Sequence, residues 1–525
     1  MSVETGAVTR SDIVSTNPAT GEVLAELPCA TAEEIHAAVQ RARQAQPAWQ
    51  ALPVSKRLAV LRRFQSLLCD RGIEVARLIC REAGKPTAEA VTTEVLVVLD
   101  AVEFCIRTTA RFLRDQPVPH GSLPMKTKRG MLVREPYGVI AIISPWNYPF
   151  STPAVETLGA LAAGNAVVIK PSEFTPLVVL ELQQLWRAAG LDPDLLQVVV
   201  GAGAAGVALI ESDIDKLIFT GSVATGKRVA EAAARRLLPV VLELGGKDPM
   251  IVLPDVDLDV VTSGALWGAF MNAGQTCLSV ERCYVHRSIY ETFLRLMVEK
   301  VGRLRVGAGL DSEVEMGPLI NERQLATVEA HVEDAVRRGA RLLAGGKRLP
   351  GLGANFYAPT LLADVTPDMR VLREETFGPV LPVAPFDTEQ EAIEIANNSE
   401  FGLAASVWTR DRKRGEAIAR QIKAGTVMIN DMVSCFGISE APHGGFKQSG
   451  IGRTHGELGM AEMVQVKYID SDRLPTMKKV WWYGYGNKFQ EQAQALAAAL
   501  YGSGFAEKLL GVMHTAGAIR RKSRI

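Results

Sequence analysis

The sequence has 525 residues, too many for one hydrophobic core, so two or three domains are expected. Lys+Arg and Asp+Glu both number 58, so no net charge draws the chain to nucleic acid or an acidic membrane. With 47% hydrophobic and 22% charged residues, the composition is that of a globular protein and excludes a disordered one.

In chain order, Ala32–Leu52 has the pattern of an amphipathic helix. Val54–Ala83 continues as a helix broken at Gly72, and Thr92–Arg114 is a third helical stretch. Residues 118–136, with Gly, Pro and alternating polarity, predict an extended ribbon. Short β-branched runs then alternate with helical segments. "GVIAIISP" precedes 151–163, "NAVVIKPSE" precedes Pro176–Ala189, "LLQVVVG" precedes 204–211 and "KLIFTG" precedes 223–237; "PVVLELGG" is a fifth run. Such alternation predicts a parallel sheet covered on both faces, with ligands bound at the carboxyl ends of its strands. The loops "SPWNYP", "KPSE" and "TGSVATG" fall at those ends. From about 250 to 445, "RCYVH", "APTLLADV", "GPVLPVAPF", "AASVWT" and "AGTVMIN" predict a second α/β domain. "MVQVKYID" (463–470) reads as a late strand, and residues 471–525 as a separate tail.

Seven cysteines, at 29, 69, 80, 105, 277, 283 and 435, are scattered, without CxxC or zinc-ligand spacing. A reducing compartment is therefore expected, with no disulfide framework and no metal. The first residues lack the apolar core of a signal peptide, and no run of ~18 apolar residues predicts a spanning helix.

"GAGAAG" (Gly201–Gly206) follows a strand but lacks the acid ~20 residues on that a dinucleotide fingerprint needs. It reads as a tight strand-to-helix turn. In "FTGSVATG", Gly221 ends a strand and a helix opens beyond it. Its amides suit a pyrophosphate, or Ser222 simply caps the helix; both readings stay open. Cys277 in "AGQTCLSVERC" is either a structural thiol or a nucleophile, and Glu243 in "LELGGKDP" is either salt-bridged or a general base with a raised pKa.

Taken together, "SPWNYPF" (144–150), "KPSE" (170–173), "FTGSVATG", "LELGGKDP", "GQTC", "EETFGPV" (374–380) and "GGFKQSGIGR" (444–453) occur in an order that resembles the aldehyde dehydrogenase superfamily, NAD(P)-dependent and non-acylating. The likeness spans residues 15 to 470, and the spacing from Glu243 to Cys277 shares it. It implies a Rossmann-like parallel-sheet cofactor domain, an α/β catalytic domain and a small β oligomerisation arm. The boundaries implied are 1–117 with 137–247 for the cofactor domain, 248–445 for the catalytic domain, 118–136 with 446–470 for the arm, and 471–525 for a C-terminal extension.

The resemblance also implies roles. Cys277 adds to the aldehyde carbonyl, for which its thiol needs a pKa below the ~8.5 of free cysteine. The thiohemiacetal gives hydride to the cofactor, and water activated by Glu243 hydrolyses the resulting thioester. The Asn147 amide and the Cys277 backbone N–H form the oxyanion hole. Lys170 and Glu173 hold the adenosine ribose, Gly221 and Ser222 meet the pyrophosphate, Glu375 binds the nicotinamide ribose, and Trp146 and Phe377 line the nicotinamide side. Glu173 repels a 2′-phosphate, so NAD is expected, with NADP as the alternative. The ribbon 118–136 and the strand 463–470 imply a homodimer or homotetramer in the cytoplasm.

Several features depart from the common pattern. His443 stands where many members have Phe and is assigned no role. Cys283 is read as a core thiol. The tail combines "KKVWWYGYGNKF" (478–489), two short helices ("QEQAQALAAALYG", "FAEKLLGVMHTAG") and a terminal "RRKSRI". It is expected to fold over protein surface, with weak membrane-surface contact as the alternative. The substrate pocket is placed in loops 98–106, 148–155, 276–278 and 433–441. Phe436 and Ile438 form an apolar mouth there and no Arg is placed for a carboxylated aldehyde, which favours an aliphatic or aromatic substrate. Two other functions stay open: an acylating, coenzyme A-dependent enzyme, and a non-catalytic member of the fold.

Overall fold

The computed structural model describes residues 12–310 and 313–479 and, beyond them, 481–483, 485, 486, 489–505 and 508. The chain divides into two compact units, residues 1–112 with 136–464 and residues 113–135 with 465–525.

In chain order, β1 (Asp12–Thr16) and β2 (Val23–Pro28) form an antiparallel hairpin around the early "NPATGE" turn. β3 (Gln116–Val118) and β4 (Lys128–Pro136) also pair antiparallel. Next come β5 (Val139–Ile143), β6 (Ala166–Lys170), β7 (Leu196–Val198), β8 (Lys216–Thr220) and β9 (Val240–Glu243). The second half holds β10 (Asp248–Val252), β11 (Val280–His286), β12 (Arg341–Ala344), β13 (Thr360–Ala363), β14 (Val380–Phe386), β15 (Ala404–Trp408) and β16 (Thr426–Ile429). β17 (Gly450–Ile451) and β18 (Val464–Asp472) complete the set.

The first unit contains two large sheets. One has the order β17-β9-β8-β5-β6-β7; β5 to β9 are parallel, and β17 joins antiparallel at the edge. β5 and β6 are buried at every position, as strands covered on both faces must be. From β5 the chain turns one way to β6 and the other way to β8. That reversal opens a crevice at the carboxyl ends of β5 and β8. The other sheet has the order β12-β13-β14-β11-β10-β15-β16, parallel except for β12. This is the mixed α/β architecture, with parallel-sheet domains, that the alternating pattern predicts.

Two helical boundaries differ from expectation. Val54–Ala83 is one helix, unbroken at Gly72, because a Cβ there would meet Val95 Cγ1 at 2.9 Å. The small residue serves close packing, and packing outweighs its low helix propensity. The third stretch starts early, at Thr87, and residues Val91–Val95 wind as a π-turn before the helix Leu96–Phe112. Such a turn adds a residue to the winding and often marks a functional site. Here Glu94 is fully buried, where it pairs with Lys85 at 2.6 Å and accepts the amides of Phe150 and Ser151 at 2.8 and 3.1 Å.

The second unit holds a three-stranded sheet in the order β18-β4-β3 and the helix Phe489–Tyr501. Lys479, one of the two lysines beside the tail aromatics, is buried and paired with Asp472 at 2.7 Å, so it is not part of an exposed basic pair. Trp482 and Tyr483 are exposed. The terminal "RRKSRI" and most of the second short helix expected before it lie outside the described residues. Among the described residues, no helix is long and apolar enough to cross a membrane.

Candidate active site

A cleft of about 630 Å³ lies in the first unit, bordered by the loops that follow β5, β8 and β9 and by the loop leading into β11. Cys277, Glu243, Asn147, Trp146, Gly221, Ser222, Glu375 and Phe377 all border it. Lys170 and Glu173 do not. They sit at the end of β6, 3.8 Å apart, and the buried Lys170 Nζ also donates to the Pro171 carbonyl at 2.6 Å.

The Cys277 loop is held in an unusual backbone path. Asn272, Ala273 and Gly274 have successive φ values of 51°, 54° and 72°, all left-handed. At Gly274 a Cβ would lie 2.0 Å from the Gly378 carbonyl oxygen, so only glycine fits. The path is pinned from outside. Glu89 Oε1 accepts the Asn272 backbone N–H at 2.6 Å, and Gln275 Oε1 accepts that of Ile320 at 2.8 Å. The Asn272 side chain donates to the carbonyls of Asn147 and Gln275 at 3.0 and 3.1 Å. Asn147 Nδ2 donates to the Gln275 carbonyl at 3.0 Å, which leaves the second N–H of that amide for the cleft. The Tyr148 hydroxyl pairs with Thr276 Oγ1 at 2.9 Å.

Burial holds the Cys277 thiol well above the usual cysteine range, and the carboxylates of Asp248, Glu375 and Glu243 push the same way. The direction is opposite to the lowered pKa that a nucleophile needs, with burial as the first cause and the carboxylates as the second. Glu243, at the end of β9, is likewise held well above the carboxylate range. Burial is the main cause, followed by Glu156, with Arg453 opposing and Glu462 adding. Neither Glu243 oxygen has a hydrogen-bond partner. It is therefore no buried salt bridge but a carboxyl group free to meet a ligand.

On the opposite side of the cleft, Glu375 Oε1 accepts the Gly246 backbone N–H at 3.0 Å, and burial, with Glu281, raises its pKa to about 8. A Cβ at Gly245 would lie 2.4 Å from Glu375 Oε2, so that glycine keeps the carboxyl in place. Phe377 has φ 51° and is fixed there by Glu281, which accepts the amides of Thr376 and Phe377 at 2.8 and 2.9 Å. Glu281 is itself paired with the buried Lys247. The Phe377 ring meets Trp146 edge to face at 5.4 Å. Ser222 Oγ accepts the Thr225 amide at 3.3 Å and caps the helix Val223–Ala234, so that the N-cap of this helix borders the cleft.

Some of the wall was not foreseen. The π-turn contributes Thr92 and Thr93, with Val97 beyond it, in place of 98–106. Trp267 and Met271 enter from the helix before the Cys277 loop. Phe436 borders the cleft as expected, but Ile438 is 48% exposed and does not. Arg323, which the sequence did not single out, also borders it. Glu156, a lone acid in the apolar helix Ser151–Ala163, was legible in principle but not singled out. Of the "GAGAAG" glycines, Gly201 lies in the turn after β7, Gly203 opens the helix Gly203–Glu211 and Gly206 lies within it; none borders the cleft. Cys283 is fully buried on β11. Among the described residues no His, Cys, Asp or Glu cluster is arranged to hold a metal ion.

Comparison with known proteins agrees with this geometry. The model of the aldehyde dehydrogenase family matches residues 5–469. A Mycolicibacterium smegmatis protein provisionally named succinate-semialdehyde dehydrogenase, NADP(+), is 42% identical over 461 residues, 87% of each chain. A 4,4'-diapolycopene aldehyde oxidase of a Methylomonas species is 38% identical over 490 residues, 93% of this chain and 91% of its own. Among solved structures, an NAD+ complex of a Bacillus cereus aldehyde dehydrogenase superposes with a TM-score of 0.84 at 38% identity, covering 88% of this chain and 93% of that one. The chain belongs to the aldehyde dehydrogenase family. It is an oxidoreductase that converts an aldehyde to the carboxylic acid with NAD or NADP.

Proposed function

We propose that catalysis runs through Cys277 as nucleophile and Glu243 as general base, with Asn147 in the oxyanion hole. The observation that carries this reading is that all three border one cleft, with neither Glu243 oxygen taken by a hydrogen bond. The Cys277 sulfur adds to the aldehyde carbon, and its proton leaves to a carboxylate. The oxygen that gains charge is met by the free N–H of Asn147 and the Cys277 amide. A nicotinamide dinucleotide held by these residues would supply the hydride acceptor and a positive charge to offset the burial and carboxylates that raise the Cys277 thiol. Water then attacks the thioester carbon and gives its proton to Glu243; the C–S bond breaks and the acid leaves. An orphaned, partner-free carboxyl suits that base better than it suits transfer to coenzyme A.

The residues fit a dinucleotide. The capped helix at Ser222 offers N-terminal amides to a pyrophosphate, Gly221 adjoins it, Glu375 is held for a ribose, and Trp146 with Phe377 forms the ring wall. Lys170 and Glu173 would take the adenosine ribose. We assign 1–117 with 137–247 to cofactor binding, 248–445 to catalysis, 118–136 with 446–470 to assembly, and 471–525 to an extension of the protein surface.

For substrate we favour an uncharged apolar aldehyde. Val97, Trp267, Met271, Leu278, Val433 and Phe436 give the cleft an apolar wall. We read Arg323 as belonging to the cofactor side, since the side chain of its neighbour Gln324 donates to the Phe377 carbonyl at 2.9 Å. Succinate semialdehyde is the second reading, because Arg323 does border the cleft and a relative carries that name. Purified enzyme should give a higher kcat/KM with medium-chain aliphatic or aromatic aldehydes than with succinate semialdehyde; the reverse order rejects the apolar reading.

The edge strand β18 exposes Val466, Tyr468 and Ile469, which supports assembly into a dimer or tetramer, testable by light scattering. Cys69, Cys80, Cys105, Cys277, Cys283 and Cys435 are free thiols, which supports a cytoplasmic setting.

A further inference from the structure

His443 stands where many family members carry Phe, yet it lies at the centre of the site. Its backbone is fixed by a reciprocal pair with Thr454, N–H to carbonyl both ways at 2.8 Å. Its imidazole is buried, with Nε2 3.7 Å from Glu243 Oε2. The Phe436 ring stands edge-on to it at 5.2 Å. His455 follows at 5.7 Å; its Nδ1 pairs with Thr454 Oγ1 at 3.1 Å, and its Nε2 is buried without a partner. Glu156 Oε2 and both Glu243 oxygens are also buried without partners. Glu156, Thr454 and His455 border a second cavity of about 30 Å³, room for one water. A cluster of orphaned polar atoms around one carboxyl is costly unless a reaction uses it.

We propose that His443 is a positioning residue for thioester hydrolysis: its Nε2–H donates to Glu243 Oε2 and holds the ionised carboxylate towards the acyl group on Cys277. The step rests on the reading of Glu243 as general base. The 3.7 Å gap closes with a small rotation of the Glu243 side chain, which no other hydrogen bond restrains. Such contacts commonly tighten only in the reacting complex. The imidazole is a neutral donor across the working range, because burial and Arg453 bring His443 down to about 4. His455, lowered to about 3 by burial and by His443, adds no charge. The other titratable groups around Glu243 are Glu156, Arg453, Glu462 and Cys277. Of these only Arg453 favours the ionised carboxylate, so a donor at 443 counts directly towards how much base is present.

The test uses the full-length enzyme and follows hydrolysis of the acyl-enzyme against pH. His443→Phe should raise the acidic midpoint by about one to two pH units, the effect of one charged hydrogen bond, while the NADH burst persists. His443→Gln, which keeps an N–H donor, should raise it less. Infrared difference titration of the Glu243 carboxyl, with Glu243→Gln as blank, should show the same order and does not depend on turnover. His443→Ala takes the same titration if His443→Phe fails to fold. An unmoved midpoint in His443→Phe, or equal shifts in Phe and Gln variants, overturns the proposal. Glu243→Gln separates the two claims. If it hydrolyses its acyl-enzyme at the wild-type rate, the base assignment and this proposal both fall. If it is slow while His443→Phe is unmoved, only the positioning role falls.

Discussion

Asn272 donates its side-chain amide to the backbone carbonyl of Asn147 at 3.0 Å, and Asn147 turns its own amide to the Gln275 carbonyl at the same distance. These crossed bonds tie the loop after β5 to the loop that carries Cys277. Asn272 does not itself border the cleft, so its expected effect is on the alignment of the proposed oxyanion hole.

Asn272→Ala should therefore lower kcat/KM by about 10²-fold, near the loss of one oxyanion donor. NAD affinity, read by fluorescence titration, should hold. A parallel loss of NAD affinity would mean that the loop shapes the cofactor site instead.

Glu173 is the least constrained of the cofactor candidates. Its side chain is 42% exposed and it pairs with Lys170 at 3.8 Å. Glu173→Ser removes a carboxylate from the expected 2′-hydroxyl site, so the NADP/NAD ratio of kcat/KM should rise by about tenfold or more. An unchanged ratio would place ribose selection elsewhere.

Glu156 links the site to stability. Burial raises its folded pKa to about 8 from an ordinary 4.5, with a weak opposing bond from Thr220. A raised carboxyl pKa means that the folded state keeps its proton longer than the unfolded chain. Its stabilisation is complete below about pH 4.5 and is lost as pH rises towards about 8. Urea unfolding at about pH 5 and about pH 8 should show a decline, by up to a few kcal/mol from this group, that is shallower in Glu156→Gln. Identical slopes in both proteins would remove Glu156 from the account.

Much of the first sheet was legible because its strands are unbroken β-branched runs; the helix after β5 begins and ends where its pattern does, at Ser151 and Ala163. β10 was missed because it opens with Asp248-Pro249, two poor strand formers that tertiary context rescues: Asp248 accepts the Ala404 amide at 3.0 Å. The π-turn has no local signature; what stabilises it is Glu94 meeting Lys85 and the amides of Phe150 and Ser151. The motif residues of the cleft were readable singly, but the state of Cys277 was not. Its thiol is raised first by burial and then by Asp248, Glu375 and Glu243, and only the folded chain buries it and brings those carboxylates together. Trp267 and Met271 escaped notice for the same reason, since an apolar helix end gives no sign of facing a cleft.

The central claim is that the acyl group is carried on Cys277 and released by Glu243. Glu243→Gln mixed with NAD and an aliphatic aldehyde, then quenched in acid and digested, should give a Cys277 peptide heavier by the acyl group. About one NADH per subunit should appear in a burst before a slow steady state. Cys277→Ala should bind NAD as the wild type does, yet give neither adduct nor burst. An adduct on another cysteine, or NADH production by Cys277→Ala, would contradict the account.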